Sequence, residues 1–208
     1  YTGPPLPVPG TACAWGFMND TIIINGWSSL EIHTAANFSD FAQAYAAGLL
    51  EGSLTAHRTA QGFYNTVNVT AVTANAPLLA FINKNFQWID TQIASPPKGE
   101  ESYWRHMSLV LHQLHGLADG YAQGKDPSSP AYAYFDFLIM QLSFDLGDIS
   151  TAVSPSHPHN ARSSMAEFVS GRGLREEFRQ GEHGLQCVCV TGGSSSSVEL
   201  HTLSIERT

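Results

Sequence analysis

Apolar and polar residues alternate over residues 27–33, and from Ser39 onward apolar residues recur at helical spacing. Residues 13–18 and 21–24 are rich in aromatic and β-branched side chains, which predicts strands. Asn25-Gly26 between them and the next run predicts a two-residue hairpin turn, because both residue types tolerate positive φ. Residues 27–33 then alternate, with Leu30 and Ile32 on one face and Ser29, Glu31 and His33 on the other. A meander of two or three strands therefore opens the domain.

Four helices are predicted after it. The first starts near Ser39-Asp40, where either side chain can cap the free amides. Phe41, Ala44, Tyr45, Gly48, Leu49 and Gly52 form one face, and its small residues permit close packing. The second starts near Asn75, with Pro77 in its first turn. Leu78, Ile82, Phe86, Ile89 and Ile93 form its stripe, and it ends before Ser95-Pro96-Pro97. The third covers about residues 100–122, with Tyr103, Met107, Val110, Leu111, Leu114, Ala118 and Tyr121 inward and Gly124 at its end. The fourth starts at Ser129-Pro130, a cap followed by proline, and runs through Phe135, Leu138, Ile139, Leu142 and Leu146 to Gly147. Strands followed by helices predict an α+β arrangement.

Composition bounds what this body can be. The chain has 208 residues, 43% hydrophobic and 13% charged, which suits a packed domain rather than a disordered chain. A formal charge of −8 argues against a nucleic-acid surface. No apolar run is long enough for a transmembrane segment. Residues 1–11 are a Pro-rich arm, residues 12–150 the patterned body, and residues 151–208 a divergent, weakly structured tail. Lys84, Lys98 and Lys125 all lie in the body, whereas the basic residues of the tail are all arginine. The chain begins at Tyr1, which reads as a removed signal peptide or a fragment. Sequons at Asn19-Asp20-Thr21, Asn37-Phe38-Ser39 and Asn68-Val69-Thr70 mark glycosylation candidates and favour a secretory route.

Candidate chemistry is sparse. His112 and His115 stand three residues apart on the third helix, near His106, but no carboxylate at ligand spacing joins them. His157-Pro158-His159 lies in a Ser/Pro loop. No metal or cofactor site is expected. Cys13 would be a nucleophile if cleavage after Ala12 freed it; its bland reading is a small buried strand residue. Cys187-Val188-Cys189 is too tight for an easy mutual disulfide and has no second pair for zinc. Ser28-Ser29 and Ser194–Ser197 lack the G-x-S-x-G context of a serine hydrolase. Asp119, Asp136, Asp145 and Asp148 read as solvated charges or caps.

The segment Asn25-Gly26-Trp27-Ser28-Ser29-Leu30-Glu31-Ile32, continuing through Asn37-Phe38-Ser39-Asp40 to Gly52, resembles the phospholipase B-like family. Phe86-Gln87-Trp88-Ile89 and Tyr103-Trp104-Arg105-His106 match the family's helical region. So do residues 111–121 (LHQLHGLADGY) and 138–148 (LIMQLSFDLGD). The resemblance covers about residues 12–150 and is nearest to the type 2 group.

The resemblance implies part of an N-terminal-nucleophile hydrolase with an αββα sandwich. Such a precursor cleaves itself before a cysteine, whose thiol attacks and whose freed α-amine acts as general base. It implies hydrolysis of an amide or ester, with phospholipid deacylation as the family reading, in the lysosomal lumen or outside the cell. The implied partners are the C-terminal fragment of the same precursor and a phospholipid or other acylated small molecule. The family's cysteine sits in a Gly/Ser-Cys-Ser-Ala stretch some tens of residues after the block ending at Asp148. Here that region reads Arg162-Ser163-Ser164-Met165-Ala166-Glu167, without cysteine. No catalytic residue is carried across, and the chain is expected to be inactive without its C-terminal part. The alternative is a non-catalytic secreted interaction module that keeps the family scaffold.

Overall fold

A computed structural model describes residues 12–153 and the backbone of residues 186–188, 190–191 and 199–200. Along the chain come β1 (Ala14–Thr21), α1 (Ile22–Asn25), β2 (Trp27–Thr34), α2 (Asp40–Leu54), α3 (Ala56–Thr66) and α4 (Val69–Ala74). Then follow α5 (Ala76–Ala94), α6 (Glu101–Gly124), α7 (Tyr134–Gln141), α8 (Leu146–Val153), β3 (Gln186–Val188), β4 (Val190–Thr191) and β5 (Glu199–Leu200). The protein is thus a mixed α and β structure, with two compact units.

The first unit takes in the chain up to His57, the segment Leu109–Ala131 and the C-terminal strands. Its sheet has the order β2-β1-β3, antiparallel throughout. β1 meets β2 from Ala14↔Thr34 to Thr21↔Trp27, and meets β3 at Ala14↔Val188, Trp15↔Cys187 and Gly16↔Gln186. Alternation sends Ala14 and Met18 inward, where they join Cys13, Ala46, Leu50 and Leu54 in a core flanked by Ile32, Phe38 and Ala42. Apolar burial of this kind is the main stabilising term for the unit. Ser39 caps α2 as its sequence predicts, Oγ accepting from the Ala42 amide at 3.3 Å.

The β1–β2 connection differs from the prediction. Residues 22–25, read as strand and turn, form one helical turn. Asp20 Oδ1 accepts from the Ile22 amide at 3.4 Å, and Gly26 closes the turn with φ 82°, its amide donating to Ile22 O at 2.9 Å. Gly26 alone takes the positive φ that only glycine adopts cheaply; Asn25 stays helical and accepts from the Trp27 amide at 3.0 Å. The local capping bonds override the β preference of three isoleucines.

The second unit holds Arg58–Ser108 and the segment Tyr132–Glu176. Val67, Val72, Leu78, Ile82, Ile139 and Leu146 form its core. Phe63 meets the edge of Phe137 at 5.0 Å and stacks on Tyr132. Asn75 caps α5, accepting from the Leu78 amide at 3.2 Å, with Pro77 in the first turn, as predicted. α6 has nearly its predicted bounds, and Leu114, Ala118 and Tyr121 are buried as expected, but Tyr103 and Val110, predicted inward, are exposed, and Trp104 is buried beside them.

The single helix predicted over residues 129–147 is instead α7 and α8. Asp126 and Lys125 hold Ser129 in a turn, through a 2.9 Å bond from the Ser129 amide to Asp126 O and a 3.0 Å bond from Lys125 Nζ to Ser129 O. α7 begins only at Tyr134, where Asp136 Oδ2 accepts from the Ala133 amide at 2.8 Å. Amides of Leu142 and Ser143 bond back three residues, to Ile139 and Met140, and this tightening ends α7. Helices α3 and α4 were not predicted; α4 is capped by Asn68, whose Oδ1 accepts from Ala71 at 3.1 Å.

Candidate functional site

Two polar arrangements in the first unit come nearest to chemistry. The first lies along α2 and α6. A Cβ on Gly48 would collide with the Gln113 carbonyl, and one on Gly116 with the Tyr45 carbonyl. The two backbones therefore touch, and glycine is what lets them do so. That approach sets the side chains beside the seam. The Tyr45 hydroxyl donates to Asp119 Oδ2 at 2.7 Å, and His115 Nδ1 lies 3.8 Å from the same oxygen. Phe41 packs against the His112 ring at 4.8 Å. Gln113 Nε2 reaches Glu51 Oε2 at 3.5 Å.

These contacts fasten helices rather than prepare a nucleophile. Burial, then the Asp119 carboxylate, pushes the Tyr45 hydroxyl far above its ordinary range, so it stays a neutral donor. Burial also raises the Glu51 carboxyl, with the Gln113 bond opposing it weakly.

The second arrangement is on the sheet face turned away from the core. Trp15, Phe17, Glu31 and His33 share that face by register, Trp15 opposite His33 and Phe17 opposite Glu31. His33 Nε2 lies 2.6 Å from Glu31 Oε1, and its ring stacks on Trp15 with centroids 5.5 Å apart. Trp15 Nε1 is buried without a hydrogen-bond acceptor among the described residues. A histidine steadied by a carboxylate can relay a proton. Since Glu31 occupies Nε2, any nucleophile would have to use Nδ1.

Cys13 does not fill that role. It is 0% exposed in the core, and Ala12 before it is 2% exposed, so neither the thiol nor the preceding bond is accessible. Burial pushes its thiol pKa up, away from thiolate. Among the described residues no group of three or more His, Cys, Asp or Glu comes together to hold a metal. His106 is exposed, and His112 and His115 have the partners given above. Asp136 is a cap, Asp119 accepts from Tyr45, and Asp145 and Asp148 are exposed. Asn19, Asn37 and Asn68 are all exposed. Cys187 is placed in β3 by its backbone; His157, His159, Cys189, the 162–167 segment and Ser194–Ser197 lie outside the described residues. The Glu31–His33 pair was half legible, because strand alternation puts both on one face. Trp15 was not, since its place beside His33 depends on the register of β1 with β2.

Among the described residues no helix is long and apolar enough to cross a membrane. Comparison with known proteins gives the scaffold its relatives. The chain is 29% identical to phospholipase B-like protein B of Dictyostelium discoideum over 189 residues, 90% of this chain and 32% of that protein. It is 31% identical to human phospholipase B-like 2 over 180 residues, 77% of this chain and 29% of that protein. Phospholipase B-like 3 of Caenorhabditis elegans is 29% identical over 160 residues, 73% of this chain and 27% of that protein. The chain thus spans less than a third of the length of these curated relatives. Residues 14–202 match the family described as Phospholipase B, a match that runs past the body into the C-terminal strands. On that match, the chain belongs to the Phospholipase B family.

Proposed function

We propose that this chain is the N-terminal part of a phospholipase B-like hydrolase that cleaves an amide or ester bond, with phospholipid deacylation as its reaction class. The family match supports the hydrolase reading. One structural observation carries the assignment of this chain as scaffold. The sheet has α2 and the apolar core on one face, and on the other it presents Trp15, Phe17, Glu31 and His33. A buried indole N–H without an acceptor among the described residues is a group that further structure would satisfy. That pattern fits one half of an αββα sandwich, with a second sheet supplied by the C-terminal fragment.

In this reading the nucleophilic cysteine belongs to the C-terminal part of the precursor, and its freed α-amine accepts the thiol proton. The thiolate attacks the acyl carbonyl, the alcohol or amine leaves with that proton, and water then releases the acid. The chain's own residues hold the sheet on which that site is built. The protein enters the secretory route, carries glycans on Asn19, Asn37 and Asn68, and works in the lysosomal lumen or outside the cell. The exposure of all three asparagines supports the glycans.

A second reading, a non-catalytic secreted interaction module, is favoured by the burial of Cys13. The test is fatty-acid release from phosphatidylcholine by the protein extended downstream of residue 150. Release accompanied by self-cleavage before a cysteine supports the hydrolase. A fully folded extended protein with neither supports the module.

A further inference from the structure

The β1–β2 hairpin ends in an apolar tip. Ile23 is 53% exposed, Ile24 78% and Trp27 77%, and α1 contains no buried residue. Leaving so many large apolar groups in water within six residues is unfavourable, and clusters of this kind mark a surface meant to be covered. We infer that this tip docks on a zwitterionic phospholipid surface.

Three observations favour lipid over a protein partner. Residues 21–30 carry no charge, and the flanking charges, Asp20 and Glu31, are both acidic. No Lys or Arg occurs before Arg58, so nothing in this part of the chain would draw it to an anionic surface. The polar groups of the tip are also turned inward. The Gly26 amide bonds to Ile22 O, the Trp27 amide to Asn25 Oδ1, and the Thr21 hydroxyl to Trp27 O at 2.9 Å. The Ser28 hydroxyl donates to Asp20 Oδ1 at 2.6 Å. A turn that satisfies these groups itself can enter an apolar phase without stranding them. Isoleucines at the apex with a tryptophan beside them suit the acyl–headgroup boundary, where indole is favoured.

The inference deepens the proposed hydrolase reading and rests on it for the presence of a phospholipid surface. Its test is sedimentation of the whole 208-residue chain with vesicles of phosphatidylcholine, and with vesicles containing added phosphatidylserine. Binding to phosphatidylcholine is expected, no tighter with phosphatidylserine present. The variant Ile23→Ser/Ile24→Ser/Trp27→Ser should bind at least about tenfold more weakly, because affinity scales with the apolar area inserted. It removes no core contact, and an unchanged circular dichroism spectrum checks its fold. Phe144→Ser, which removes a separate aromatic that is 87% exposed, should bind as the parent does. As a second readout, brominated phosphatidylcholine should quench tryptophan emission in the parent and less in Trp27→Phe. The inference is overturned if the parent stays in the supernatant, if the triple variant binds equally, or if binding requires phosphatidylserine. It is also overturned if the tip instead joins two copies, seen as a dimer that the triple variant abolishes. Hydrolysis is scored separately on dispersed short-chain phosphatidylcholine by the extended protein. Vesicle binding without hydrolysis would defeat the hydrolase reading alone; hydrolysis without vesicle binding would defeat the docking alone.

Discussion

The Tyr45 hydroxyl on α2 donates to Asp119 Oδ2 on α6 at 2.7 Å, joining residues 74 positions apart. The bond is only part-buried, so its net worth is about 1 kcal/mol. Tyr45→Phe should lower the unfolding free energy by that amount in urea titration while leaving the denaturant slope unchanged.

Beneath that bond the helices touch through glycine. Gly48→Ala places a methyl against the Gln113 backbone, which cannot swing aside as a side chain can. A loss of about 1–3 kcal/mol is expected, more than Tyr45→Phe costs, read from the same titration. An alanine variant as stable as the parent would mean that the two backbones do not meet there.

Glu51 gives a pH dependence. Burial raises its carboxyl above the ordinary value in the folded state, so folding favours the protonated form. Its contribution is therefore full below the unfolded value of about 4.3 and is lost as pH rises through the raised folded value. At pH 7 the carboxylate costs stability. Glu51→Gln should raise the melting temperature at pH 7 and leave it nearly unchanged at pH 4, measured by calorimetry at both.

Ser39 carries two roles that separate cleanly. Its hydroxyl caps α2, and it is the third residue of the Asn37 sequon. On the proposed secretory reading, Ser39→Ala should abolish glycosylation at Asn37, seen as a mass loss, and cost about 1 kcal/mol of stability. Ser39→Thr should restore both. Asn37→Gln should lose the glycan and keep the cap.

Helix starts were legible where the capping side chain acts within its own turn. Ser39 and Asn75 each bond an amide three residues on, and sequence alone locates both. The Ser129-Pro130 cap misled because Tyr121 and Lys125 hold that stretch: the Tyr121 hydroxyl donates to Pro130 O at 2.7 Å. Ile22 to Ile24 misled because strand propensity is weak against Asp20 and Gly26. The small residues of α2 were read correctly as a close-packing face, yet their partner on α6 could not be named, since pairing across 65 or more residues leaves no local mark. The same limit hid Trp15 beside His33. The family's blocks of residues were legible because identity and order, not periodicity, carry them.

The most direct measurement is fatty-acid release from phosphatidylcholine by the purified 208-residue chain, beside its Cys13→Ala and Cys187→Ala variants. Cys13 is sealed in the core, and the proposed nucleophile belongs to the C-terminal part of the precursor. All three proteins should give no release above the buffer blank. Release by the parent that either substitution abolishes would contradict the reading of this chain as scaffold without a catalytic site.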